Sequence, residues 1–591
     1  MRNKIAVPLI VIGVLLMLVG IGQRTFWAPP GTVTAEAPAA DQQAPLTVIG
    51  SDVLTAHPDG VELTVSGDGP FMMAVGRADD VEAWVGDATV LRVAADGDNV
   101  TADVTEGTPT VPDPAGSDLW VSEQEVDGET TFTWDAPAEG EWEILLATDG
   151  TAPAPAGVSV TYANDESTPF AVPLIVAGAL IAVLGLALAF VAGRGNTGRR
   201  SGGRGPSTEG PARGTAATAP AAGTTSLPAA ETAPAGGEKP GASGTSSFGI
   251  LHAKRRRRPA ALITALLASL ALGAGPAMAA LPLTAAPTEE PANEATPPVV
   301  LETQLERILA DVAATVQAAD AAKDPALLTA RAGGAAATLR EASYATAAKV
   351  PTYAAPEPIA ADPLKTDMVM GGTEFPRSVV AVTQGPENEV PQALLLVQNS
   401  ARENYKLMSS IRMLPGTTFP ARPASGAGVN PAPADSGDGL TTSPQIAVQA
   451  LADALTNPDG MNKDTFSSNT FAEAVTKFQS DVTSSPDNEF ANITFNHESV
   501  PGDTSALRTA DGGAIVFGYM DSSYTSVPKE AGDSINLEGT IYQTLTGEAS
   551  TEAGIEVKYG EGVMLYVPPA GSTDKIQVIG AVQELLSATL K

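Results

Sequence analysis

The sequence predicts a multi-domain membrane protein with three transmembrane helices, an extracytoplasmic all-β sandwich-like domain and a C-terminal α+β region of two tandem units. Three observations lead to this fold class. The chain of 591 residues contains three long apolar segments. The sign of the net charge alternates between the stretches that these segments separate. Short β-type runs precede the second segment, whereas helical spacing of apolar residues appears after the third.

The first two apolar segments define a membrane topology. Residues 5–22 follow Arg2 and Lys4 and are just long enough to cross a hydrocarbon core of about 30 Å. A signal peptide is the alternative, although no small-residue cleavage pattern follows promptly. Residues 170–192 carry no charge and are followed at once by an arginine-rich stretch from Arg194. Because basic residues stay in the cytoplasm, we expect the region between the two segments to be extracytoplasmic.

The third apolar segment, residues 259–281, follows five consecutive basic residues and is expected to return the chain to the outside. It is also similar to an internal signal sequence, because an A-x-A pattern ends it and would allow cleavage near Ala279. The preceding residues 193–258 are rich in Gly, Ala, Thr, Pro and Ser. This composition predicts a disordered basic cytoplasmic linker.

The first extracytoplasmic domain is expected at residues 45–165. Residues 30–168 contain 27 acidic residues and two basic ones. Short runs with β-type composition are separated by Gly, Pro, Asp and Asn, which favours a small antiparallel sandwich. The predicted strands lie at residues 61–65, 71–75, 81–85, 131–134 and 142–146.

Two features of this domain suggest binding sites, each with a simpler alternative. Four of the five tryptophans lie here and either fill the core or stack against sugar rings; they are Trp84, Trp120, Trp134 and Trp142. An acidic stretch invites a calcium site but departs from the EF-hand pattern, so that a solvated acidic loop is the alternative. Its acidic residues are Asp96, Asp98, Asp103 and Glu106.

The C-terminal region is expected to hold two α+β units, residues 299–418 and 444–591, joined by a linker at 419–443. In the first unit we predict helices at 299–321 and from Asp324-Pro325 to about Lys349, then strands at 378–384, 392–399 and 404–413. In the second we predict helices at 445–456 and 468–480, then strands at 492–498, 513–521, 535–545 and 555–567. This order of elements, helices followed by an antiparallel sheet, is that of cystatin-like and NTF2-like folds.

No catalytic constellation is recognisable. The three histidines, His57, His252 and His497, fall in different predicted compartments or domains, and common nucleophile, phosphate-loop and metalloprotease motifs are absent. The absence of cysteine excludes disulfides and thiolate chemistry. Asp521 is the best candidate for a catalytic acid, although a turn-capping role is the simpler interpretation. Arg377 is expected to be a surface or sheet-edge charge. We predict no catalytic, cofactor-binding or metal-binding residues.

Several stretches resemble known sequences. Residues 1–30, 66–87 and 168–180 are similar to uncharacterised membrane proteins of actinobacteria. Residues 373–383 (TEFPRSVVAVT), 506–522 (ALRTADGGAIVFGYMDS) and 563–572 (VMLYVPPAGS) resemble a domain of unknown function in actinobacterial envelope proteins and lipoproteins. The resemblance implies a location in the envelope, and it supplies no functional residues.

These observations lead to an expected function. A net charge of -34 argues against nucleic acid as a partner. We expect a multi-pass, non-enzymatic protein of the cell envelope that contacts the lipid bilayer and displays acidic domains to an envelope protein or a cell-wall polymer. A carbohydrate-active enzyme that uses Asp and Glu is one alternative, and an envelope sensor or assembly factor is another.

Overall fold

The computed structural model describes residues 3–39, 42–164, 166–193, 296–422 and 427–591. The predicted linker after Gly193 and the third apolar segment at 259–281 therefore lie outside the described residues. The chain divides into two compact units. The first contains the two apolar helices, and the second contains most of the β-rich domain together with the C-terminal region.

Nine α-helices are formed in the part of the chain that the structure describes. They are α1 (Asn3–Thr25), α2 (Ser51–Leu54), α3 (Ala78–Val85), α4 (Ala171–Gly193), α5 (Glu302–Ala322), α6 (Gly334–Lys349), α7 (Pro444–Thr456), α8 (Thr470–Ser484) and α9 (Ile541–Thr546).

Strands make up most of the remaining regular structure. In the β-rich domain they are β1 (Thr32–Glu36), β2 (Leu46–Ile49), β3 (Val61–Arg77), β4 (Val90–Asp96), β5 (Asn99–Thr105), β6 (Ser122–Thr133), β7 (Trp142–Ala147) and β8 (Gly157–Ala163). In the C-terminal region they are β9 (Leu364–Val369), β10 (Arg377–Thr383), β11 (Gln392–Gln398), β12 (Lys406–Arg412), β13 (Ala491–Ser499), β14 (Ser505–Arg508), β15 (Ala514–Pro528), β16 (Ile535–Asn536), β17 (Ser550–Thr551), β18 (Ile555–Val567) and β19 (Gln577–Leu590).

The compact unit that contains α1 and α4 is built on an antiparallel pair of apolar helices. Both α1 and α4 are long and apolar enough to cross a membrane, as predicted for residues 5–22 and 170–192. Gly13 of α1 lies against Gly178 and Ala182 of α4, and a Cβ atom at Gly13 would stand 2.5 Å from the Ala182 nitrogen. Small residues therefore allow the two backbones to approach closely, which is how apolar helices associate in lipid.

The β-rich domain forms one eight-stranded sheet rather than the two separate sheets of a sandwich. The strand order is β1-β8-β3-β7-β2-β4-β5, and β6 also pairs with β3. The pair β2 and β4 is parallel, whereas the pair β2 and β7 is antiparallel. The predicted strands at 61–65 and 71–75 belong to the single long strand β3.

The strand predicted at 81–85 is wrong, because these residues belong to helix α3. Asp79 and Asp80 lie in the first turn of α3, where negative charge is favourable. Val81, Trp84 and Val85 are buried, and their spacing places them on one face of the helix.

The C-terminal region contains two halves, each with helices followed by a sheet. The first sheet has the order β12-β11-β10-β9, and the second has the order β13-β15-β18-β19, with β14 beside β15. Two of the predicted elements differ in the structure. Asp324 caps a short 3-10 helix, Pro325–Ala330, and α6 begins only at Gly334. Residues 541–546 form α9 inside the strand predicted at 535–545.

The two halves share one hydrophobic core. Leu305 and Ile308 of α5 belong to the same buried cluster as Ile515 and Phe517 of β15. The sheets also meet at their edges, because the Leu414 backbone N–H donates to the Ile579 carbonyl at 2.7 Å. The predicted linker at 419–443 is part of this body. Its residues Val429 and Leu440 are buried, and the segment bridges to both halves.

Candidate functional site

The β-rich domain and the C-terminal region meet within the second unit at a polar, buried interface. The loop between β5 and β6 enters the C-terminal region through Asp118, which is 2% exposed. The Asp118 carboxylate accepts hydrogen bonds from Arg331 Nη1 and, at 2.8 Å, from the Tyr405 backbone N–H. The Asp118 backbone N–H donates to Asn404 Oδ1 at 2.9 Å. The Asp118 carboxylate and backbone N–H are therefore both bound by the C-terminal region, as a buried charge requires.

Helix α5 recognises the backbone of the same loop. Gln304 Nε2 donates to the carbonyl oxygens of Asp118 and Leu119, at 3.2 and 3.1 Å. One turn further along, Arg307 Nη2 donates to the Trp120 carbonyl at 2.5 Å. Because three consecutive carbonyls are bound, the loop is held in one conformation against α5.

A second buried ion pair joins α3 to the start of β10. Arg377 Nη1 lies 2.6 Å from Asp80 Oδ1, and the two side chains are 1% and 3% exposed. The Arg377 guanidinium also donates from Nη2 to the Thr373 carbonyl and lies 4.2 Å from the centre of the Phe375 ring. Burial raises the pKa of Asp80, and the positive charge of Arg377 opposes this rise. The expectation that Arg377 is a surface or sheet-edge charge is therefore wrong.

Arg402 binds the C-terminal end of α3. Its Nε and Nη2 atoms donate to the carbonyls of Trp84 and Val85, at 2.9 and 2.7 Å. The last carbonyls of a helix lack partners inside the helix and carry partial negative charge, so that a guanidinium satisfies both needs. The guanidinium also lies 5.4 Å from the centre of the Trp84 ring.

The interface is complementary in chemistry. The C-terminal region supplies cationic and amide donors, and the β-rich domain supplies carboxylates and backbone carbonyls. Ala401 joins the hydrophobic core of the β-rich domain, with Phe375 packed against it. Such an arrangement is suited to specific association of two domains, because each buried charge would be costly without its partner.

The C-terminal side of this interface matches a known family of domains. Residues 296–589 match a family model described as a domain of unknown function, DUF8094. This region is a DUF8094 domain. Its range covers both halves of the C-terminal region, which agrees with their common core. No curated protein and no solved structure matches the chain, so that the comparison with cystatin-like and NTF2-like folds stays a prediction.

Three of the four tryptophans in the β-rich domain fill its core. Trp84, Trp120 and Trp142 are at most 2% exposed, and Trp134 is half-buried. Trp120 Nε1 donates to the Pro114 carbonyl at 2.7 Å. Burial leaves the faces of the first three rings out of reach of a sugar, which supports the core-filling interpretation.

The acidic stretch in the β-rich domain forms a hairpin. Asp96 ends β4, Asn99 begins β5, and Gly97 adopts a positive φ of 61° in the turn between them. Asp103 lies on β5 opposite Arg92. Among the described residues there is no group of three or more acidic or histidine side chains with metal-binding geometry.

The candidate acid Asp521 and His497 lie on the paired strands β15 and β13, but on opposite faces of the sheet, because Asp521 is opposite Glu498 and His497 is opposite Ser522. Asp521 is exposed on β15 of the DUF8094 domain. Burial of Asp503, and then the negative charge of Asp521, raise the pKa of Asp503. His497, on β13, is buried beside Glu561. His57 lies in the β-rich domain, and His252 lies outside the described residues. A carbohydrate-active role for Asp521 stays a prediction.

Proposed function

We propose that this chain is a membrane-anchored, non-enzymatic protein of the cell envelope. Its β-rich domain and its DUF8094 domain act outside the cytoplasm as one acidic body that binds an envelope protein or a cell-wall polymer. The observation that carries the proposal is the buried interface between the two domains. Two ion pairs, Asp80 with Arg377 and Asp118 with Arg331, lie at its centre.

This interface bears on topology. Domains that share buried ion pairs must lie on the same side of a membrane. The β-rich domain is flanked by α1 and α4, and if both helices span the bilayer, Gly193 lies on the opposite side from that domain. An odd number of further crossings is then needed before Thr296. The apolar residues 259–281 supply one crossing, which supports three spans and an intact third segment.

The ends of the helix pair support the orientation. Phe26, Trp27 and Phe170 lie at the end from which the β-rich domain continues, and they are 90%, 66% and 70% exposed. Exposed aromatic residues at helix ends are typical of the membrane–water interface. The opposite end is flanked in sequence by Arg2 and by Arg194, as expected of a cytoplasmic end.

Cleavage of the linker tests whether the two domains hold together. A recognition site for a sequence-specific protease is inserted after Ser226, and the full chain is purified in mild detergent and cut. We expect the C-terminal fragment to remain bound to an affinity tag at the N-terminus. In the double variant Asp80→Asn and Asp118→Asn, Arg377 is buried without its counter-charge, at about 3 kcal/mol or more, and Arg331 keeps only the more exposed Asp311 as an ion-pair partner. In this variant the fragments should separate.

The matched control is Asp113→Ala, which removes an exposed carboxylate from the same loop. It should leave the fragments associated. Equal recovery of the C-terminal fragment from the double variant and from the control would show that the fragments associate by another route, such as a shared micelle. Partner binding is tested separately by crosslinking in membranes, followed by purification of the full chain. Recovery of no protein or wall material would count against the binding role.

A further inference from the structure

Helix α8 of the DUF8094 domain packs on its neighbours through half-buried apolar side chains and one buried amide. Gln479 is the buried residue of α8 and is 8% exposed, whereas the apolar residues Phe471, Val475 and Phe478 are only half-buried. Gln479 Nε2 donates to the Leu455 carbonyl in the last turn of α7, at 3.0 Å. It therefore ties α8 to the neighbouring helix.

The same amide nitrogen faces a histidine. Gln479 Nε2 lies 3.4 Å from His497 Nε2 on β13. A carbonyl can only accept a hydrogen bond, so the bond to Leu455 fixes the amide with its NH₂ group toward His497. His497 Nε2 must then be the acceptor, which requires that this nitrogen carry no proton.

The other ring nitrogen of His497 is a donor. His497 Nδ1 lies 3.0 Å from Oε2 of Glu561, which is fully buried on β18. The other oxygen of Glu561 accepts hydrogen bonds from Ser522 Oγ and Gln583 Nε2, each at 2.8 Å. A neutral imidazole carries one N–H group, and since Nε2 has no proton, His497 donates from Nδ1 to Glu561.

The surroundings of His497 contain one charge and several neutral groups. Glu561 is the charged group in contact with the ring. From α7, Thr456 Oγ1 accepts from the His497 backbone N–H at 2.8 Å, and α8 supplies the neutral amide of Gln479. Protonation of the imidazole would therefore turn the hydrogen bond to Glu561 into an ion pair and would change the contact with α8.

We propose that His497 and Gln479 form a pH-sensitive latch that holds α8 against the rest of the DUF8094 domain. When a proton from solvent binds Nε2, two N–H groups face each other. The amide of Gln479 must then turn its oxygen toward the imidazolium, and it loses the hydrogen bond to the Leu455 carbonyl. An unpartnered buried carbonyl is costly, so that α8 is released more often in acid than at neutral pH.

Release of α8 has a local consequence. The N-terminal half of α8 and the C-terminal half of α7 line an open cleft of about 500 Å³, with Leu451, Leu455 and Phe466 among its apolar residues. Because α8 forms one wall, opening of the latch exposes this apolar surface. The latch goes beyond the proposed function and does not depend on it.

Hydrogen exchange of the full chain in lipid nanodiscs at about pH 7.5 and about pH 5.5 tests the latch. After correction for the chemical exchange rate at each pH, we expect a several-fold loss of protection at the lower pH for α8 amides. Strands β10 and β11 serve as the internal reference and should keep their protection. Equal protection of α8 at both pH values would overturn the proposal.

Two variants make the test specific. His497→Gln keeps a donor for Glu561 but cannot titrate, and it should make the protection of α8 independent of pH. Gln479→Glu supplies a carboxylate that pairs with the imidazolium, and it should reverse the order, with greater protection at the lower pH. Near-ultraviolet circular dichroism verifies that each variant is folded. A loss of α8 protection in acid that persists in His497→Gln would assign the effect to another group.

Discussion

Glu143, on β7 of the β-rich domain, lies in surroundings that disfavour the negative charge of its carboxyl group. Burial, followed by the negative charge of Glu82, raises its pKa to about 7. Arg92 is near but forms its ion pair with Glu82, and among the described residues Glu143 Oε2 has no hydrogen-bond partner. The folded state therefore retains a proton on Glu143 at pH values where the unfolded chain has lost it.

This difference predicts a pH dependence of stability. The loss of folding stability caused by ionising Glu143 is absent below about pH 4.5, grows as the pH rises, and is complete above about pH 7. Glu143→Gln removes the ionisable group and should raise the free energy of unfolding at about pH 8 by roughly 1 kcal/mol, after allowance for solvent screening. Thermal unfolding of both proteins across this range measures the effect. An equal pH dependence in the variant would contradict it.

Single residues of the interface were beyond prediction from the sequence. Asp80 lies on the same helix as the buried residues Val81 and Trp84. Because this region was predicted as a strand, the sequence did not indicate that Asp80 is buried. Asp118 and Arg331 are separated by 213 residues, and no local pattern links them. The core role of the tryptophans was predictable because large aromatic rings are usually buried.

At the scale of elements, glycines set how closely helices pack on the C-terminal sheet. Gly518 of β15 lies under Val448 of α7, and a Cβ atom at Gly518 would stand 2.5 Å from Val448 Cγ2. On another part of the sheet, a Cβ atom at Gly560 of β18 would stand 2.7 Å from Leu339 Cδ2 of α6. Glycines at these positions therefore allow helices α6 and α7 to pack closely on the sheet.

The contact at Gly518 yields a paired prediction. Gly518→Ala should lower the free energy of unfolding by about 1–3 kcal/mol, because the added methyl group overpacks the contact with α7. Adding Val448→Ala makes room and should recover part of the loss. Gly502→Ala, where a Cβ atom meets nothing within 4 Å, is the control. Denaturant unfolding measures all three, and a loss that Val448→Ala deepens would refute the packing argument.

Most elements were predictable where periodicity was strong. Helices α5 and α7 and strands β11 and β18 lie where the spacing of apolar residues placed them. The helix α9 was missed because its six residues, IYQTLT, are rich in β-branched and aromatic types. The capping residue Thr540 and the left-handed Gly547 fix its ends, and these local signals outweigh composition.

At the scale of the whole molecule, the β-rich domain and the DUF8094 domain are separated in sequence by α4 and by about a hundred residues outside the described structure. They meet through a buried polar interface, and the DUF8094 domain is itself one body with a shared core. The sequence predicted the domains and their acidic character but not their association, because association depends on contacts between distant residues. The inferred topology follows from that association and from the two apolar helices.

Accessibility of single cysteines tests this topology most directly, because the natural chain contains no cysteine and therefore gives no background. Ser122→Cys on the β-rich domain and Thr573→Cys on the DUF8094 domain place thiols at exposed positions, and Ser226→Cys marks the linker. In intact cells, a membrane-impermeant maleimide should label the first two variants and should label the third only after permeabilisation. Labelling at Ser122→Cys without labelling at Thr573→Cys would place the domains on opposite sides and contradict the account.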